Sequence, residues 1–123
     1  MQLALVIEDE PEVAGFLTGA FRHLGFEAVT VQSGEHAMEL IDRTGKVVVA
    51  FVHLSNDEEQ HAMVTTVAER WPHTKLIVMS SRPEDLARLP PIIFLGKPTS
   101  AVMIMAVLKR VALETGPRRG FLH

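Results

Sequence analysis

"VVVAFVHLSND", residues 47–57, decides how this chain is read. Six apolar residues run without a break to His53, and polar residues follow Leu54. A strand buried on both faces of a parallel sheet is apolar throughout, whereas a strand with one wet face alternates. If 46–52 is a doubly buried strand, helices must cover both faces of its sheet. The residues past its carboxyl end then line the crevice where such sheets place their chemistry. His53 stands at that point.

Working outward, short apolar runs alternate with helical patterns. "LALVI" (3–7) precedes Pro11, a residue suited to a first helical turn. Val13, Phe16, Leu17, Ala20, Phe21 and Leu24 then recur at helical spacing until Gly25. "FEAVTV" (26–31) is a second strand. Ser33 can cap a second helix, with Ala37, Leu40 and Ile41 inward and Gly45 at its end. After the third strand, Ser55 or Asn56 with Glu58 or Glu59 forms a capping box. It opens a helix carrying Ala62, Met63, Val67 and Trp71, and Pro72 ends it. "KLIVM" (75–79) and "IIFL" (92–95) are strands four and five. Between them "PEDLARL" (83–89) allows about two helical turns before Pro90-Pro91 stops them. Thr99 can cap the last helix, which runs to about Glu114. Five strand–helix pairs with short connections predict a flavodoxin-like α/β fold, a three-layer (βα)5 sandwich around a five-stranded parallel sheet. Residues 1–115 read as one domain and 116–123 as a disordered tail.

Composition narrows the function. The chain has 123 residues, a formal charge of −3, 47% hydrophobic residues and no cysteine. Disulfides, thiolate zinc sites and cysteine nucleophiles are excluded. Nothing suggests nucleic-acid binding, no apolar run is long enough to cross a bilayer, and the start reads as a strand rather than a signal peptide. A cytoplasmic protein is the expectation. No histidine pair has H-x-x-x-H spacing.

The strand ends bring together Glu8 and Asp9, His53, Ser80 and Lys97. Two carboxylates suit a hard divalent cation such as Mg²⁺, while a lysine and a hydroxyl suit phosphoryl oxygens. A nucleophilic carboxylate is missing, and His53 occupies the place where one would stand.

In these features the chain resembles the receiver domain of bacterial two-component response regulators, over residues 2–114. "VIEDEP" (6–11) is similar to the family's acidic motif, with Glu8 and Asp9 as the metal-binding pair. "VMSS" (78–81) places Ser80 in the hydroxyl position. "FLGKP" (94–98) places Lys97 as the phosphate-contacting lysine and Phe94 as the switch aromatic. The resemblance further implies a cis peptide bond at 97–98 and a sensor histidine kinase pathway. Counting 53 − 9 = 44 from the acidic pair lands on the family's phosphoacceptor aspartate, here His53. The usual proline and glycine of the next loop are replaced by "SNDEEQ". Only 16 residues (81–96) separate Ser80 from Lys97, fewer than the family's usual spacing, so a short fourth helix is expected.

Together these features predict a degenerate receiver: not an enzyme, not phosphorylated on aspartate in the usual way, and acting through a protein partner. It would carry no cofactor, or Mg²⁺ only weakly. His53 reads as a structural substitute for the lost aspartate–lysine contact. The alternatives are phosphorylation of His53 on nitrogen, although its surroundings do not look like a kinase's phosphohistidine helix, a surrogate acceptor such as Asp57, or a transition-metal site of Glu8, Asp9 and His53. In the last helix, "AVMIMAVLKRVAL" (101–113), Ala101, Ile104, Met105, Leu108 and Ala112 form a core stripe. Val102, Met103, Ala106 and Val107 form a second apolar set, expected to bind a partner or a second copy.

Overall fold

The structure is a computed structural model that describes residues 2–54, 58–82, 84, 87, 89–90, 92–97 and 99–115. Five strands, β1 (Leu3–Ile7), β2 (Glu27–Val31), β3 (Val47–His53), β4 (Lys75–Ser80) and β5 (Ile93–Gly96), form one parallel sheet in the order β2-β1-β3-β4-β5. The described helices are α1 (Pro11–His23), α2 (Gly34–Thr44), α3 (Glu58–Arg70) and the C-terminal α4 (Ala101–Thr115). This is the expected flavodoxin-like α/β arrangement. The short helix expected at 83–89, the capping residues Ser55 and Asn56, Asp57, the 97–98 peptide and the tail 116–123 fall wholly or partly outside the described residues.

The strands alternate between two cores. Ala4, Val6, Val49, Phe51, Ile77 and Met79 face one side, where Leu17 and Phe21 of α1 and Ile104 and Leu108 of α4 cover them. Leu5, Ile7, Ala50, Val52 and Val78 face the other, under Ala37 and Ile41 of α2 and Met63, Val64 and Val67 of α3. The period of two, interrupted in β3 where Leu3 pairs with Val47 but Ala4 with Val49, feeds two layers at once, which is why residues 47–52 carry no polar position.

Local signals explain the helix ends. Ser33 Oγ accepts the His36 N–H at 3.1 Å, and Gly45 ends α2 at φ 62°, a left-handed value that glycine takes without a Cβ clash. Gly25, at φ 99°, turns the chain from α1 into β2. The last helix is capped one residue later than expected. Ser100 Oγ, not Thr99, accepts from Met103 N–H at 3.1 Å, and Ser100 O takes the first helical bond from Ile104.

Two apolar positions of the helical patterns, Phe16 and Ala62, face outward, and one core-stripe assignment, Ala101, is corrected. Phe16 is exposed, because the stripe through Leu17, Phe21 and Leu24 rotates it to the edge of the buried arc. Ala62 is exposed, while its neighbours His61 and Met63 are buried. In α4, Ala101 is exposed and Val111 completes the core row with Ile104, Leu108 and Ala112.

One backbone carbonyl on the β2 edge of the sheet is occupied by a side chain. The Glu27 N–H bonds to Gln2 O on the β1 side, so the carbonyl of the next residue, Ala28, faces away from the sheet. Arg22 Nη2 donates to that carbonyl at 3.0 Å.

Candidate functional site

The sheet order places a topological switch between β1 and β3, since the chain runs outward to β2 on one side and to β4 and β5 on the other. Ile7 pairs with Val52 across this switch, so the next residues, Glu8 and His53, emerge side by side. His53 is the last residue of β3 rather than the first beyond it, because its backbone still pairs with Met79. Ser80 pairs with Gly96, and Lys97 N–H donates to Ser80 O at 2.8 Å, which fixes Lys97 just past β5.

Three side chains meet at this end of the sheet. Glu8 Oε2 lies 2.5 Å from His53 Nδ1, and His53 Nε2 lies 3.0 Å from Lys97 Nζ. The Glu8 side chain is fully buried and the His53 side chain is about a fifth exposed. Glu8 Oε1 also accepts the Glu10 N–H at 3.1 Å. Oε2 has no partner aligned as a hydrogen bond, so its contact with Nδ1 is a close electrostatic one, set off the ring N–H axis.

The two contacts together select a tautomer. A lysine ammonium only donates, so Nε2 must offer its lone pair. The ring proton then sits on Nδ1, against the carboxylate. His53 thus lies between the Glu8 carboxylate and the Lys97 amine, which reach it from opposite sides of β3.

The other expected residues are placed less tightly. Asp9 is exposed. Ser80 is buried, and its Oγ accepts the Arg82 N–H at 3.0 Å. Phe94 is half-buried on β5, beside Val78. Arg82 has no sequence signal that would have tied it to Ser80; a backbone N–H two residues on is available to any residue type.

This geometry does not fit a divalent cation. One of the two acids is committed to an imidazole and a backbone N–H, while the other points to solvent. Among the described residues no three carboxylate or imidazole side chains converge closely enough to hold a metal ion.

On α4, Val102 and Met103 are 80% and 52% exposed, Ala106 is exposed, and Val107 is half-buried against the core. Leu113, which is not one of the second apolar set, is also exposed. It lies seven residues from Ala106 and so extends the same face. No helix among the described residues is long and apolar enough to cross a membrane.

No protein-family model matches the chain, and no curated protein does. Solved structures do. A response regulator receiver domain (CheY-like) from Methylobacillus flagellatus is 23% identical, with TM-score 0.69, over 90% of this chain and 98% of that one. The chemotaxis protein CheY4 of Vibrio cholerae is 17% identical, with TM-score 0.75, over 90% and 98%. The response regulator TrrA of Thermotoga maritima, solved in complex with Mg²⁺-BeF, is 15% identical, with TM-score 0.70, over 90% and 99%. The structural relatives of this chain are response regulator receiver domains, and its fold is theirs.

Proposed function

We propose that this chain is an atypical receiver domain of a two-component system, one that forms no aspartyl phosphate at the end of β3 and acts by binding a protein. The observation that carries this reading is the Glu8–His53–Lys97 chain. The lysine that would contact a phosphoryl group is held by Nε2, and the acid that would hold a metal is held against Nδ1. The imidazole takes the place of the acceptor carboxylate and keeps both partners engaged without a ligand.

The rest of the proposal follows from the same site. The domain is not an enzyme and needs no resident cofactor, and Mg²⁺ binds weakly at most. It works in the cytoplasm, downstream of a sensor histidine kinase pathway or beside one, without binding nucleic acid itself. Its contact surface is the outer face of α4, where Val102, Met103 and Ala106 are exposed and Val107 flanks them, and a second copy or another protein covers it.

Incubation of the full chain with a small acyl phosphate and Mg²⁺, followed by intact-mass analysis, tests the central statement. The expected result is no base-labile aspartyl phosphate. A stoichiometric one would overturn it, and its location at Asp57 would identify a surrogate acceptor.

A further inference from the structure

We propose that His53 is itself a phosphoryl acceptor, through Nε2, and that the domain is modified as a phosphoramidate rather than as an acyl phosphate. The inference rests on the site reading above, but not on its partner-binding part.

The side-chain chain has the parts such a step needs. With the ring proton on Nδ1, the lone pair of Nε2 points toward Lys97 Nζ, 3.0 Å away. An imidazole that attacks through Nε2 becomes a cation. Here the buried Glu8 carboxylate, 2.5 Å from Nδ1, stands where that charge develops. A carboxylate behind an imidazole thus compensates the charge, while the Lys97 ammonium at Nε2 favours the tautomer that can attack.

The front of the ring selects the electrophile. An ammonium beside the attacking nitrogen favours a group whose attacked atom carries anionic oxygens, which describes a phosphoryl group better than a neutral carbonyl. The ring is open enough to be reached, with a fifth of its side chain exposed, and the Lys97 residue is exposed and free to pivot on its long stem.

The step balances without a redox partner. The donor is a phosphoramidate or an acyl phosphate. Its P–N bond breaks with the nitrogen already protonated, so that a neutral amine leaves, or its P–O bond breaks and a carboxylate leaves; in either case the electron pair goes with the leaving group. The Nε2 lone pair forms the new N–P bond. No proton leaves the ring, because Nε2 carried none, and the product is an Nδ1-protonated phosphoimidazolium facing Glu8. Lys97 turns from the nitrogen it held to a phosphoryl oxygen.

The test is incubation of the full chain with potassium phosphoramidate, with and without Mg²⁺. Intact mass is then read after parallel acid and base treatment, with fragmentation to place the adduct. The expected product carries one phosphoryl group on His53, kept in base and lost in acid. His53→Gln should abolish it, and Glu8→Gln, confirmed folded by circular dichroism, should slow it about tenfold or more. No adduct on the folded wild type overturns this proposal and leaves the proposed function standing. A base-labile adduct on a carboxylate overturns both. A base-stable adduct on any of the other five histidines, or one that survives in His53→Gln, overturns this proposal alone.

Discussion

Lys97 and His53, 44 residues apart in the chain, meet at 3.0 Å through Nζ and Nε2 at the mouth of the sheet. The contact joins the ends of β3 and β5 across β4, which lies between them. A carboxylate at position 53 would reach the same lysine as an ion pair; the imidazole does so with a lone pair and passes the link on to Glu8.

Restoring a carboxylate should restore the missing chemistry. His53→Asp places three acids and Lys97 at one strand end, and it releases Glu8 from the ring. The variant should gain a base-labile phosphate from an acyl phosphate donor in Mg²⁺, where the wild type gains none. A variant that folds but stays unmodified would place the defect in residues 54–57 or in the short stretch of sequence between Ser80 and Lys97 instead.

Removing the ring should expose the cost of the Glu8 carboxylate. His53→Ala leaves a buried anion beside the Glu10 N–H, the hydrogen bond it keeps. Loss of about 1–3 kcal/mol is expected by urea unfolding at neutral pH, moderated because the vacated space is near solvent. Glu8→Gln in the His53→Ala background should recover part of that loss, since it removes the uncompensated charge. If the double variant is no more stable than the single one, Glu8 does not depend on the ring.

Magnesium should bind poorly. Titration followed by amide chemical shifts should leave residues 8–10 unmoved at low millimolar Mg²⁺. In His53→Asp the same titration should move them, since three carboxylates make a site that two do not. Sub-millimolar binding by the wild type at Glu8 and Asp9 would mean that the imidazole does not hold Glu8 away from a metal.

The outer face of α4 should support association. Val102→Glu and Met103→Glu change exposed residues, so circular dichroism should be unchanged while light scattering reports loss of a dimer, or a pull-down loss of a partner. Val107→Glu is a different experiment. Its side chain packs against the core, so it should lower stability as well. If the wild type is monomeric at high concentration, self-association is wrong and the partner-binding form remains. If a wild-type dimer survives both exposed-site changes, another face makes it.

The sheet was legible because its residues are constrained on both sides. An unbroken run such as 47–52 has few ways to be buried, and the caps Ser33 and Gly45 act within their own helix turns. The meeting of Glu8 with His53 followed from sheet order, which parallel connections restrict severely. Side-chain direction was less legible. Nothing local distinguishes Phe16 from Leu17, or Ala62 from Met63, until the sheet fixes the helix rotation. Thr99 and Ser100 are equally good caps on paper, and the choice depends on where the chain leaves β5. The direction of the Ser80 hydroxyl, toward Arg82 N–H, depends on a turn that no residue type announces.

Arg22 gives the molecule a property that concerns crowding rather than signalling. An open parallel sheet ends in a ladder of unused backbone groups, and a second strand laid along it can recruit a third. On the β2 side, the first outward carbonyl is already occupied by a guanidinium from the neighbouring helix. A newly made chain approaching that border would have to evict a cation before it could add itself. Strand addition at this border, beside the exposed Val29, therefore meets one position that is already taken.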